Sequence, residues 1–157
     1  MAKVLIAYYS RTGNTESMAK AIAEAVRDEG LDVVCKRVED VDMDELLQVD
    51  SLIVGSPTYY GTMAAEVKKF FDASVEHHGK LDGKVGAAFA SADTSGHETT
   101  VFSILEALLI HGMIVQGDPK GPHYGVTSIG KPDGRVLENC QRLGRRFASL
   151  VKRTASK

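Results

Sequence analysis

No stretch of this chain is apolar for long enough to span a bilayer, and its start carries no secretory leader pattern. The expectation is therefore a cytoplasmic protein with no membrane partner. Neither a Gly-Lys-Ser/Thr phosphate loop nor a Gly-x-Gly-x-x-Gly turn occurs, so adenine nucleotide is not the first ligand to consider. Cysteine is scarce: Cys35 and Cys140 are far apart and neither belongs to a Cys-x-x-Cys pair, which excludes a disulfide framework and a dithiol motif. Charge of one sign is not in surplus, since 19 basic residues face 21 acidic ones for a net −2, and nothing here argues for nucleic acid. No His/Cys/Asp spacing suggests a closed metal site. Repeats, low-complexity tracts and an interdomain linker are absent as well.

What remains is an ordinary globular composition. At 157 residues, with 43% hydrophobic and 25% charged residues, the chain is sized for one domain, residues 1–157, with a real core. Cys35 falls in an expected strand and Cys140 on the apolar stripe of an expected helix, so both read as buried free thiols. Arg142, Arg145, Arg146, Lys152 and Arg153 alternate with apolar positions and read as a solvated helix face.

The densest chemistry lies near the N-terminus. An apolar strand, Val4 to Tyr9, runs straight into Ser10-Arg11-Thr12-Gly13-Asn14-Thr15, and an amphipathic helix follows. The first amides of a helix have no intrahelical partner, and the helix dipole favours negative charge there. Ser10, Thr12 and Thr15 add hydroxyls, Asn14 an amide, and Gly13 allows close backbone approach. This combination is a phosphate socket. The plainer alternative is a capped helix, with Thr12 or Asn14 as the cap.

The rest of the chain alternates strand and helix. Strands are expected at Val33–Val38, Ser51–Ser56, Lys84–Ala90 and Met113–Gln116, and helices at Ala64–Val75, Glu98–His111 and Val136–Val151. Glu39–Val49 reads as a short helix or loop, and residues 117–134, rich in glycine and proline, as a loop with room for a short strand pair. Alternation of this kind means a doubly wound parallel sheet covered on both faces, and the unbroken apolar runs fit doubly buried strands. In such sheets the ligand sits outside the carboxyl ends of the strands. Two further loops at that edge carry ligand chemistry: Pro57-Thr58-Tyr59-Tyr60-Gly61 and Ser91-Ala92-Asp93-Thr94-Ser95-Gly96-His97. Tyrosines and small polar residues suit a flat ring system with a phosphate tail. Each loop also has a plainer reading, as surface turn aromatics and as a helix start with Ser95 and Glu98 forming a capping box.

With these residues in place, the sequence resembles the flavodoxin-fold FMN proteins. Ser10–Thr15 matches their phosphate loop, and Ser56-Pro57-Thr58-Tyr59-Tyr60-Gly61 is similar to the loop that contacts the isoalloxazine ring. Within that fold the likeness is greatest to NAD(P)H:quinone oxidoreductases of the tryptophan-repressor-binding-protein type, through Gly96-His97-Glu98-Thr99-Thr100, His111-Gly112-Met113 and Tyr124-Gly125. The resemblance implies a five-stranded parallel sheet in the order 2-1-3-4-5, FMN as cofactor, NAD(P)H as electron donor and a quinone-like acceptor. It also implies a homo-oligomer, dimer or tetramer, in which His111 lies at the flavin. His111 and Tyr124 are the candidate proton relays. Two departures stand out: Ser74–Asp82 is shorter than in typical members, and the chain has no tryptophan where they place one near the flavin mouth. The alternative within the fold is a one-electron carrier serving a redox partner protein. The three loops hold Arg11 and His97 against a single acid, Asp93, and a near-neutral surround penalises a fully reduced flavin anion less, which favours two-electron chemistry.

Overall fold

The computed structural model describes residues 1–155. Its elements in chain order are β1 (Lys3–Tyr8), α1 (Asn14–Asp28), β2 (Asp32–Arg37), a 3-10 turn (Val38–Asp40), α2 (Glu45–Gln48), β3 (Ser51–Tyr59), β4 (Thr62–Met63), α3 (Ala65–Ala73), a second 3-10 turn (Ser74–His77), β5 (Val85–Ala92), α4 (His97–Ile110), β6 (Ile114–Val115), β7 (Val126–Ile129) and α5 (Gly134–Ala155). β2, β1, β3, β5 and β6 lie side by side in that order, all parallel, which is the expected doubly wound arrangement.

Burial on both faces explains why β1 reads as an unbroken apolar run. Leu5 and Ala7 point to the layer of α3 and α4, where they join Val67, Phe70, Ile104 and Leu108. Val4, Ile6 and Tyr8 point to the layer of α1 and α5, with Met18, Ile22, Phe147 and Val151. The small residues of the central strands admit bulk from their neighbours. A Cβ on Gly55 would lie 2.0 Å from the Phe89 ring, so Phe89 fills the space that a side chain there would need. On Gly144 a Cβ would come within 2.9 Å of the Ile22 carbonyl oxygen, which is how closely α5 lies on α1.

The fifth strand departs from expectation. Met113–Gln116 contributes only Ile114 and Val115, opposite Val85 and Gly86. The chain then leaves the sheet and returns as β7, which pairs in parallel with Phe89–Ala92. The loop region thus holds a single strand that extends the sheet, not a strand pair of its own. Asp118 anchors the excursion. Arg142 donates to its carboxylate twice, at 2.6 and 2.8 Å, and Arg146 donates to the Gly117 carbonyl at 2.8 Å. These two arginines are therefore not a simple solvated face, and they hold the Asp118 carboxyl down at about 2. Cys140 is buried as expected, whereas Cys35 is only partly covered. No helix among the described residues is long and apolar enough to cross a membrane.

Candidate functional site

The carboxyl ends of β1, β3 and β5 bring the three loops to one open cleft. Arg11, Thr12, Asn14 and Thr15 line it from the first loop, Pro57, Thr58 and Tyr59 from the second, and Ser91, Ala92 and Asp93 from the third. Residues separated by some eighty positions meet here because parallel strands deliver all their carboxyl ends to the same edge.

The first loop is built around Ser10. Its buried hydroxyl accepts from the Gly13 amide at 3.2 Å and from the Glu16 amide at 3.3 Å. Gly13 occupies the N-cap of α1 at φ 102°, a left-handed conformation that glycine adopts without strain, and the cap residue has no side chain to offer, so Ser10 takes the third amide from outside the helix. Neither Thr12 nor Asn14 serves as the cap. Among the described residues, the amides of Thr12, Asn14 and Thr15 donate to no protein acceptor, so three donors stand free at the start of a four-turn helix. The Thr15 hydroxyl is buried and shares a 2.8 Å hydrogen bond with the Ser91 hydroxyl, which ties the first loop to the third. Arg37, at the end of β2, supports the loop from behind: it donates to the Ser10 carbonyl at 2.9 Å, and its guanidinium lies 5.4 Å from the centre of the Tyr9 ring.

The second loop is a tight hairpin. β3 turns at Tyr60 and Gly61 and returns as β4, pairing Tyr59 with Thr62 and Thr58 with Met63. Both turn residues have positive φ, 51° at Tyr60 and 78° at Gly61, as this kind of two-residue turn requires. Tyr60 is the only non-glycine residue with positive φ among those described, a conformation that costs roughly 1–2 kcal/mol for an L-residue. Its ring is fully exposed and recovers nothing by packing, so the turn is held from elsewhere.

The third loop ends at Gly96, which caps α4 at φ 81°. Its αL geometry brings the backbone against the hairpin, and a Cβ there would stand 2.8 Å from the Gly61 Cα. Ser95 makes no cap bond, so the capping box with Glu98 does not form. Thr94, Ser95 and Gly96 lie just beyond the cleft lining. His97 opens α4 beside them, and its buried Nδ1 has no hydrogen-bond partner among the described residues.

His111 and Tyr124 stand apart from this cleft. His111 follows the last residue of α4, about 21 Å from His97 at 1.5 Å per residue. It is buried, and its Nε2 lies 2.8 Å from the Ser74 hydroxyl. That hydroxyl already gives its single proton to the Phe71 carbonyl at 2.6 Å, so Nε2 must be the donor and Nδ1 is left bare. Burial, with the His78 imidazole adding to it, holds the His111 pKa below the usual value. Tyr124 leans on Phe102 of α4 with ring centres 4.6 Å apart. The adjoining Gly125 abuts the Ala88 carbonyl, about 13 Å along β5 from Ala92. Of the other histidines, His123 bonds the Asp118 carbonyl and His77 sits by Asp44. Asp44, Glu76 and His77 bring possible ligand atoms within 4.8 Å of one another, away from the cleft.

Sequence reasoning missed Arg37 and Thr99. Arg37 reads as an ordinary polar strand residue, and only the pairing of β2 with β1 sets it behind Ser10. Thr99 donates to the Gly61 carbonyl at 2.6 Å across 38 positions of sequence, and no local pattern announces this.

Comparison with known proteins agrees with this geometry. A flavodoxin of Aquifex aeolicus is 40% identical over 162 aligned positions, covering 96% of this chain and 88% of its own. An NAD(P)H dehydrogenase (quinone) of Archaeoglobus fulgidus is 33% identical, covering 98% of this chain and 99% of its own. That alignment runs over 189 positions against 157 residues here, so at least 32 residues of that relative, 189 less 157, have no counterpart in this chain. The solved structure of a flavodoxin from the domain Archaea superposes with a TM-score of 0.82 at 36% identity, covering 96% of this chain and 99% of that one. The flavodoxin family model matches residues 6–115, from the first strand through the sixth, and the chain belongs to the flavodoxin family.

Proposed function

We propose that the cleft binds FMN and that the chain works as a small electron-transfer flavoprotein serving a redox partner protein. The free amides of Thr12, Asn14 and Thr15, the Thr12 and Thr15 hydroxyls and the Arg11 guanidinium suit a phosphate dianion. Pro57, Thr58 and Tyr59 on one side and Ser91, Ala92 and Asp93 on the other suit the edge and face of a flat ring. Bound FMN supplies the redox chemistry, accepting and releasing one or two electrons. The chain's part is to hold the phosphate, fix the ring between two loops and leave one edge open to the partner.

The observation that carries the carrier reading is the position of His111 and Tyr124. Neither lines the cleft of a single chain. A carrier needs no such relay, whereas an enzyme that protonates a quinone would need His111 or Tyr124 from a second copy in a homo-oligomer. The absence of the extra residues of the quinone dehydrogenase relative points the same way.

The second reading is two-electron reduction of quinone-like acceptors by NAD(P)H. It is supported by the charge of the cleft, where Arg11 and Asp93 balance, and by that same relative. The two readings separate in one preparation. The protein is loaded with FMN, dialysed and examined for yellow colour; colourless protein would overturn both. Oxidation of NADH and of NADPH is then followed with benzoquinone, against free FMN at equal concentration. The carrier reading expects no turnover above free flavin, while photoreduced protein still reduces a one-electron acceptor protein such as cytochrome c. Turnover well above free flavin would overturn it in favour of the enzyme.

A further inference from the structure

Helix α4 presents a row of small residues at positions i, i+3, i+4 and i+7 to the second loop, and each of them holds it. Gly96 lies against Gly61 so closely that a Cβ would not fit. The Thr99 hydroxyl lies 2.6 Å from the Gly61 carbonyl and 3.0 Å from the Gly96 carbonyl of its own helix start, and the shorter contact takes its single proton. The Thr100 and Thr58 hydroxyls share a 3.0 Å hydrogen bond, with the Gly96 carbonyl 2.8 Å from the Thr100 oxygen, and the Ser103 hydroxyl accepts from the Met63 amide at 3.2 Å. The spacing puts Thr99, Thr100 and Ser103 on one face of α4, with Gly96 as its cap. Their target is the hairpin that ends in the strained, fully exposed Tyr60. Thr99 reaches the turn itself, whereas Thr100 and Ser103 reach the strands below it.

We propose that Thr99 is a positioning residue for the flavin ring: its hydroxyl bond to Gly61 sets the stance of the Tyr59-Tyr60-Gly61 turn over the cleft. This rests on the FMN reading. Two consequences follow from the geometry. The Gly61 carbonyl is turned toward α4 and has one lone pair taken by Thr99, so the turn meets the ligand chiefly with its aromatic faces and its amides. The turn also cannot rock away from the third loop without breaking the Thr99 bond, because Gly96 and Thr99 belong to the helix that the third loop starts. The ring would then lie between two loops held at fixed separation by one helix.

The test compares Thr99→Val, which keeps the shape and removes the hydroxyl, with Thr99→Ser, which keeps the hydroxyl. FMN and riboflavin are titrated into flavin-free protein by quenching of flavin fluorescence, and visible circular dichroism of the bound flavin is recorded. Thr99→Val is expected to weaken both flavins by the same factor, about fivefold for one hydrogen bond, because it acts on the ring side and not on the phosphate. It should also change the visible dichroism of the bound flavin, and Thr99→Ser should restore both. A merely structural role would lower the melting temperature of the flavin-free protein and leave the dichroism as it was, and that result overturns the proposal. So does wild-type affinity for both flavins in Thr99→Val. Loss of FMN binding alone, with riboflavin unaffected, would place Thr99 on the phosphate side and also overturn it. Failure of the unaltered protein to bind any flavin would remove the FMN reading, and this proposal with it.

Discussion

Replacing Thr15 by valine is the sharpest perturbation of the cleft, because valine keeps the volume and deletes one atom's chemistry. Thr15 is 1% exposed and Ser91 is 5% exposed, and their hydroxyl oxygens lie 2.8 Å apart. The valine variant loses this bond and also leaves the Ser91 hydroxyl buried without a partner. Orphaning a buried hydroxyl costs about 1–3 kcal/mol, more than the net worth of the bond that it once made. Ser91→Ala should cost a similar amount by orphaning Thr15. The double variant has no polar group left to orphan, so it should be more stable than the sum of the single costs implies, with a coupling of about 1 kcal/mol. The assay is urea unfolding of the flavin-free protein, followed by far-ultraviolet circular dichroism for all four combinations. For a chain of this size each kcal/mol also moves the melting temperature by roughly 2–4 °C, which gives an independent reading. Additivity of the two single costs to within about 0.3 kcal/mol would refute the idea that this hydroxyl pair joins the first and third loops.

Three further outcomes are expected. Gly55→Ala places a Cβ 2.0 Å from the Phe89 ring and should destabilise the fold by about 1–3 kcal/mol, with Phe89→Leu in the same chain recovering part of the loss in thermal melts. Asp118 is held at about 2, below its ordinary 3.8, by the Arg142 guanidinium first of all. The stability this supplies is complete above the ordinary value and fades as pH falls toward 2, so Asp118→Asn should lower the neutral melting temperature and flatten the acid limb of a pH-stability curve. His111 is held below its ordinary 6.5 by burial, so the unfolded chain takes up a proton there before the folded one does. Stability should therefore decline as pH drops below 6.5, and urea midpoints of His111→Asn should lack that component of the decline.

Much of the framework is legible in the sequence because it is written locally. The apolar runs of β1 and β3 and the stripes of α1 and α5 give strand and helix, and alternation gives a parallel sheet with one ligand edge. From that edge the three loops follow, and all three line or border the cleft. The parts that escaped are those written between distant residues. The hairpin at Tyr60 depends on positive φ at a tyrosine, which no propensity favours; the bonds from α4 to Thr58, Gly61 and Met63 compensate it. Ser95 and Glu98 have the spacing of a capping box, yet Gly96 takes the cap because the backbone there must pass against Gly61. His111 and Tyr124 were brought to the cleft by resemblance alone, and the length of α4 and the offset of β7 set where one chain places them.

The interrupted outer strand has a consequence for solubility. An unbroken fifth strand would present a long row of free amides and carbonyls to any other chain, the usual template for edge-to-edge pairing. Here that row is cut into a two-residue and a four-residue piece, with an excursion carrying Pro119 and Pro122 between them and Pro132 just beyond. Neither piece is long enough to nucleate a foreign strand, and the arginine-anchored excursion stands where one would have to align. The break that complicates the sheet's outline thus keeps that margin from recruiting copies of itself while the chain folds.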